Sequence, residues 1–88
     1  MNVIRLRLYV TGQTPSAERA IATMKELEKD FGPRLTVEVI DVLADPASAL
    51  NDDVYATPTV FRIAPEPVRR LFGDLSRTQT LIEGLGLS

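Results

Sequence analysis

Arginine is the residue type with the most chemistry to offer in this 88-residue chain. Arg69 and Arg70 stand together after the Pro65-Glu66-Pro67 segment, while Arg62 precedes that segment and Arg19 lies far away near the N-terminus. A planar guanidinium can bind a carboxylate through two hydrogen bonds, so these arginines are candidates for contacts with acidic groups of a partner protein. Arginines on an edge strand also discourage aggregation, and the sequence alone leaves both roles open.

Residue types that the chain lacks exclude several kinds of catalysis. It contains no cysteine and no histidine, so thiol redox chemistry, thiolate metal sites and histidine-dependent base catalysis are all excluded. The hydroxyls of Ser16, Ser48 and Thr57 therefore have no histidine to activate them. We predict that the protein is not an enzyme and that it has no catalytic residues.

The acidic residues form no recognisable metal-binding pattern. Asp41, Asp45, Asp52, Asp53 and Asp74 do not follow the spacing of an EF-hand loop, and we expect them to serve in turns and helix caps. The chain also has no glycine-rich phosphate loop followed by lysine. The sequence therefore predicts neither a metal nor a cofactor.

Charge and hydropathy restrict the classes of partner. The net charge is −2 and both signs are interspersed, which argues against binding to nucleic acid or to a membrane surface. Arg5 and Arg7 interrupt the first apolar run, and such charges are not typical of the apolar part of a signal peptide. We expect a cytoplasmic protein with one domain over residues 1–88, small enough to gain stability from forming a homo-oligomer.

The first half of the chain reads as a strand, a helix and a second strand. Alternating apolar residues predict a strand from Val3 to Val10, and Thr14 followed by Pro15 is typical of a helix start. Gly32-Pro33 would end that helix, and a strand from Leu35 to Val42 follows. Two strands joined by a helix make a right-handed crossover with the strands parallel.

The second half contains weaker signals. Asp45-Pro46 predicts a short helix, and the segments Thr59 to Ile63 and Val68 to Phe72 predict two strands that pair as a hairpin. Ser76 followed by Gln79 fits a capping box that would open a last helix. The segment from Leu81 to Leu87 is compatible with either a helix or a strand, because its leucines fit both periods and its glycines weaken a helix.

This order of elements is that of an α/β, thioredoxin-like fold. The segment before Thr59 then lies where that fold has a cis-proline, so we predict a cis bond before Pro58. The active site of that fold would follow the first strand, where this chain has Gly12-Gln13-Thr14-Pro15 and no thiol. We expect Tyr9 and Phe61 to lie in the core or on the sheet, with an interface position as the alternative.

Several motifs together resemble the KaiB family of the cyanobacterial circadian clock and its relatives in other bacteria. The resemblance runs nearly from end to end of the chain. Its motifs are Leu8-Tyr9-Val10 with Gly12, Thr14 and Pro15, then Val39-Ile40-Asp41-Val42, then Ala56-Thr57-Pro58-Thr59, and Pro65-x-Pro67-Val68-Arg69-Arg70 followed by Gly73-Asp74-Leu75-Ser76.

The resemblance implies a non-enzymatic clock or timing regulator that binds the KaiC ATPase ring, with KaiA or a histidine kinase as further partners. It implies two folds that share the N-terminal half: a tetrameric or dimeric ground state, and a thioredoxin-like monomer that binds KaiC. Arg19, Arg69 and Arg70 become contacts with a partner. The residues of the fold switch would include Pro58, Pro65, Pro67, Gly73, Asp74, Gly84 and Gly86.

Two points remain open at this level. Gly86 stands where relatives can carry an aspartate, a departure that bears on the tetramer and on any role linked to KaiA. The alternative function is a thioredoxin-like adaptor that is locked in one fold and binds a sensor histidine kinase or a stress-response partner.

Overall fold

A mixed four-stranded sheet organises the structure, a computed structural model that describes residues 3–87. The elements are β1 (Ile4–Val10), α1 (Pro15–Phe31), a 3₁₀ turn (Gly32–Arg34), β2 (Leu35–Asp41), α2 (Pro46–Asn51), β3 (Thr59–Ala64), β4 (Arg69–Phe72) and α3 (Thr78–Leu85). The strands lie in the order β2-β1-β3-β4.

The first half forms the predicted parallel crossover. β1 pairs in parallel with β2, in a register that sets Ile4 beside Leu35. Thr14 caps α1 by accepting a 3.2 Å hydrogen bond from the Ala17 N–H, and Pro15 occupies the first turn, where its missing N–H leaves no unpaired donor. These predictions are confirmed, and the strand boundaries differ from the predicted ones by one residue.

The second half forms the predicted hairpin. β3 runs antiparallel to both β1 and β4, so β4 and β2 are the two edges of the sheet. Pro65 and Pro67 lie in the connection between β3 and β4. The peptide bonds before Pro58, Pro65 and Pro67 are all cis, which confirms the prediction for Pro58.

The last segment is a helix, and its start differs from the prediction. The prediction that Ser76 and Gln79 form a capping box is wrong, because the residue before α3 is Arg77 and no side chain caps the helix. The Ser76 N–H instead donates to Asp74 Oδ1 at 3.1 Å, in a turn that precedes the helix. Because Asp74 accepts this hydrogen bond, Ser76 belongs to the turn, and α3 begins only at Thr78.

Gly86 explains why the leucines of this segment suit both periods. Its φ is 65°, so it ends α3 in the left-handed conformation that favours glycine. The Leu87 N–H then donates to the Ile82 carbonyl at 2.9 Å. Because the chain turns back at Gly86, Leu85 in the helix and Leu87 after it are both buried.

The two faces of the sheet have different coverings. On the face that we call the helix face, α1 and α3 close a continuous apolar core, whose buried members are Ile4, Leu6, Leu8, Val10, Ala17, Ala20, Met24, Leu27, Leu35, Val60, Leu75, Leu81, Leu85 and Leu87. On the other, which we call the open face, the short α2 covers a small cluster in which its Ala49 packs with Tyr9 and Phe61.

Tyr9 and Phe61 confirm the prediction of a core position. Both rings are buried on the open face and meet edge to face, with their centroids 5.9 Å apart. Aromatic pairs favour this geometry because the positive edge of one ring meets the negative face of the other. The pair lies under α2 and gives the open face its own small cluster.

Candidate functional site

Four of the residues selected from the sequence surround one cavity of about 560 Å³. The first turns of α1 meet there with the loop before β3 and the loop after β4. The lining residues are Ser16, Arg19, Thr57, Pro58, Gly73, Asp74, Leu75 and Ser76. The fold thus brings together Arg19, Pro58, Gly73 and Asp74, which lie in three separate parts of the sequence.

Hydrogen bonds between loops hold this cavity in shape. The Gly73 N–H donates to the Pro58 carbonyl at 3.4 Å, which ties the loop after β4 to the loop before β3. The hydroxyls of Thr11 and Thr57 lie 2.6 Å apart and tie that second loop to the end of β1. The shape of the cavity therefore depends on contacts between neighbouring loops at one end of the sheet rather than on any one loop.

The cavity carries both signs of charge. Hydrogen bonding by the Ser76 side chain and backbone N–H lowers the pKa of Asp74, and the positive charge of Arg19 lowers it further. Arg19 itself lies on an exposed part of α1. A guanidinium, a carboxylate and hydroxyls can all form hydrogen bonds with polar groups.

The loop after β1 is the place where a thioredoxin would carry its reactive thiols. Here the Gly12 N–H donates to Asp41 Oδ1 at 3.0 Å, and the Leu43 N–H donates to the same oxygen at 2.9 Å. These two backbone donors lower the pKa of Asp41. Asp41 therefore organises two adjacent loops, in agreement with the structural role expected for this carboxylate.

Arg62 is internal, contrary to the surface contact that the sequence suggested. Its side chain is buried, and it donates from Nη1 to the Leu85 carbonyl and from Nη2 to the Pro67 carbonyl, both at 2.8 Å. The carbonyls at the end of α3 carry the negative end of the helix dipole, which compensates a cation. Arg62 thus joins α3 to the β3–β4 connection, and in this fold its guanidinium does not face a partner.

Arg69 lies directly across from Arg62 on the neighbouring strand but is exposed. Both side chains approach Gly86: a Cβ added there would lie 3.3 Å from Arg62 Nη1 and 3.8 Å from Arg69 Nη1. A Cβ at Gly84 would lie 3.0 Å from Leu71 Cδ2. The two glycines therefore allow the end of α3 to approach the hairpin closely.

Arg70 lies on the open face, away from the other arginines selected from the sequence. Its guanidinium sits 4.9 Å from the centre of the Phe61 ring and donates to the Asp53 carbonyl at 3.0 Å. The side chain is nevertheless exposed. The residues selected from the sequence therefore lie in several places. One group lines the cavity, and a second surrounds the end of α3. Arg70 lies apart on the open face, and Pro65 lies in the hairpin connection.

One polar cluster on the open face was missed by the sequence interpretation. Asp52 accepts from the Tyr9 hydroxyl and from Arg7 Nη1, the latter at 3.1 Å, and Arg7 Nε pairs with Glu38 at 2.8 Å. Arg7 and Tyr9 are two residues apart on one strand and so share a face, which is the signal that was available. Their acidic partner could not be identified before the position of α2 was known.

Within residues 3–87, no group of three or more acidic, histidine or cysteine side chains could hold a metal ion. No helix in the same range is long and apolar enough to cross a membrane.

Comparison with protein families and curated sequences gives consistent results. A family model described as the KaiB domain matches residues 7–87. The chain is 47% identical over 83 residues to the circadian clock oscillator protein KaiB of Trichodesmium erythraeum, covering 93% of this chain and 80% of that protein. It is 44% identical over 92 residues to the KaiB of Picosynechococcus, covering 99% of this chain and 88% of that protein.

Solved structures confirm the predicted thioredoxin-like fold. The N-terminal domain of Synechococcus elongatus SasA superposes with a TM-score of 0.76 at 20% identity, over 100% of this chain and 88% of that one. Thioredoxin-2, a component of malaria parasite protein secretion machinery, superposes with a TM-score of 0.81 at 18% identity, over 93% of this chain and 80% of that one.

Proposed function

The chain belongs to the KaiB family, and we propose that it is a non-enzymatic circadian clock or timing regulator that binds a KaiC-like ATPase ring. The thioredoxin-like fold is the binding form in this proposal. Its partners are proteins, with KaiA or a histidine kinase as further ones, and their acidic groups meet the exposed arginines. No chemical step is assigned to the chain.

The observation that carries the proposal is the state of these arginines. Arg19, Arg69 and Arg70 are exposed, and each lies on a helix or a strand rather than on a loop. Within residues 3–87, the two ion pairs are both made by Arg7. Guanidiniums that are held on rigid elements without a carboxylate can form charge-assisted hydrogen bonds with one supplied by a partner.

We also propose that the second half of the chain changes fold, as the resemblance to the KaiB family implies. The residues concerned are Pro58, Pro65, Pro67, Gly73, Asp74, Gly84 and Gly86. A partner that binds only one of two folds shifts the population toward it, by an amount set by the difference in affinity. The ground state in this proposal is a homo-oligomer, a tetramer or a dimer.

Binding to a KaiC ring tests the main proposal. The purified chain is mixed with KaiC of a related organism and ATP, and complex formation is followed over hours by size-exclusion chromatography with light scattering. We expect a complex that contains both proteins and that is weakened by Arg19→Ala or Arg69→Ala. Lys29→Ala, which removes an exposed cation from the last turn of α1, is the matched control. Absence of a complex with the unaltered chain would refute the proposal.

A single-fold adaptor for a histidine kinase or a stress-response partner is the second candidate function. It is favoured by the contacts of Arg62, whose donors are used by the end of α3 and by the hairpin connection of this same fold. Backbone NMR of the free protein distinguishes the two. One monomeric set of thioredoxin-like signals without exchange supports the adaptor, whereas a second set of signals for residues 52–87 supports the fold switch.

A further inference from the structure

The edge strand β4 lies beside an apolar cavity that the proposed function does not use. β4 is the last strand in the sheet order, so one side of its backbone has no strand partner within residues 3–87. The adjoining cavity has a volume of about 170 Å³ and is lined by Tyr55, Ala56, Thr59, Arg70 and Phe72. An unpaired strand edge next to an apolar cavity is the arrangement that binds extended peptides.

The two aromatic residues of this cavity are largely exposed. Tyr55 is 86% exposed and Phe72 is 65% exposed, although each could bury a large apolar area. Val68, just before β4, is also exposed. Apolar side chains grouped at a strand edge and rimmed by charged residues mark an interaction surface rather than scattered surface residues.

The charges on β4 select the kind of partner. Arg69 and Arg70 are consecutive, so they point to opposite faces of the sheet and present a positive charge on each side of the edge. A second copy of this chain paired through the same edge would bring arginines close to arginines, which is unfavourable. An acidic strand would instead meet opposite charges on both faces.

We propose that the β4 edge binds an extended acidic segment of a partner protein as an added strand, with a large apolar side chain of that segment between Tyr55 and Phe72. This inference rests on the proposed function, since it names the partner chemistry that the arginines would meet. Because side chains of a strand alternate between faces, the segment has its apolar residue and one acidic residue two positions apart, opposite Phe72 and Arg70. A second acidic residue on the other face meets Arg69.

A synthetic peptide tests this inference without any other protein. The probe is a ten-residue peptide with blocked ends, in which glutamates stand two and three positions to either side of one central phenylalanine and the other positions are valine or threonine. It is titrated into the isotope-labelled full chain and followed by NMR. We expect shifts concentrated at Tyr55 and residues 68–73, and slower hydrogen exchange of β4 amides, because added backbone hydrogen bonds protect them.

Matched peptides and variants separate the parts of the inference. Phe72→Ser should weaken binding of the probe by roughly tenfold, as expected for loss of a central apolar anchor. Leu50→Ser removes an apolar residue of α2 that is 79% exposed, and it should leave binding unchanged. A probe with lysine in place of glutamate should not bind, since it would carry the same charge as the strand.

The outcomes also distinguish this inference from the proposed function. Binding of the probe without protection of the β4 amides, or dimerisation of the chain through β4, would overturn it. Absence of probe binding would also overturn it. If the KaiC complex still formed in that case, only this inference would fail and the proposed function would stand. Probe binding with β4 protection but no KaiC complex would leave the surface established and refute the proposed function.

Discussion

The two faces of the sheet hold their covering helices by different kinds of interaction. On the helix face, α1 and α3 bury leucines, alanines and Met24 in one continuous apolar core. On the open face, α2 has only six residues and contributes one buried residue, Ala49. A helix that short cannot bury enough apolar surface to hold itself in place, so polar contacts supply part of the attachment.

Asp52 is the centre of those polar contacts. It follows α2 directly and accepts from Tyr9 and Arg7, both of which lie on β1. The Tyr9 hydroxyl also lies 3.1 Å from the Ser48 carbonyl within α2. The helix face therefore depends on burial whereas the open face depends on a few hydrogen bonds, so the two should respond differently to mutation and to pH.

The largest expected effect is on the helix face. Leu8 is fully buried, and Leu8→Ala should lower the free energy of unfolding by about 3 kcal/mol, because it removes apolar burial and leaves a cavity. Urea unfolding followed by circular dichroism measures the change. Leu50→Ala in α2, where the side chain is 79% exposed, should stay within about 0.5 kcal/mol of the unaltered protein. Equal losses for the two variants would contradict the comparison.

A smaller effect is expected at the polar centre of the open face. Asp52→Ala should lower the free energy of unfolding by about 1.5 kcal/mol, because Tyr9 and Arg7 each lose an acceptor while Arg7 keeps Glu38. A double-mutant cycle with Tyr9→Phe measures the coupling between the two residues. Strictly additive losses would show that the hydrogen bond between Tyr9 and Asp52 contributes nothing.

The same centre predicts a sensitivity to alkaline pH. Burial, together with the hydrogen bond to Asp52, raises the pKa of Tyr9 to about 12 from 10.0. The folded state therefore retains a proton that the unfolded state has lost, so this contribution to stability is complete below pH 10 and falls as the pH rises toward 12. Unfolding measured across this range should show a decline that Tyr9→Phe reduces. An identical decline in both proteins would exclude Tyr9 as its source.

The smallest expected change is at the end of the helix face. Gly86→Ala should cost about 1 kcal/mol, because an alanine at this positive φ brings its Cβ close to the following carbonyl. Gly86→Asn should cost less, since asparagine tolerates the left-handed conformation. Thermal unfolding of both variants gives the comparison. A cost for asparagine as large as that for alanine would point to crowding against Arg62 instead of backbone strain.

The first half of the fold was predictable because its signals are local. Thr14 and Pro15 define a helix start within one turn, and the alternation in β1 assigns its faces without knowledge of the rest of the chain. The end of the chain was not predictable in the same way. Asp74 binds the N–H of Ser76 in a turn, and the backbone reversal at Gly86 buries two leucines that no single period explains.

The candidate site was predictable only in part. The sequence identified arginines, prolines and glycines with the capacity for contacts, and Arg19, Pro58, Gly73 and Asp74 do meet at one cavity. It did not reveal that Arg62 turns inward, because the carbonyls that it binds come from α3 and from the hairpin connection. Nor did it reveal the pocket between Tyr55 and Phe72, whose walls are distant in sequence.

By itself, the sequence determined the order of the elements before the last segment, the absence of thiol and histidine chemistry, and the KaiB family, because each depends on residue types and short-range spacing. The tertiary structure decided which arginines are exposed and which loops form the cavity. Those features depend on strand register and helix placement, which join residues far apart in the chain. A guanidinium faces solvent or becomes an internal contact only once its neighbours are in place.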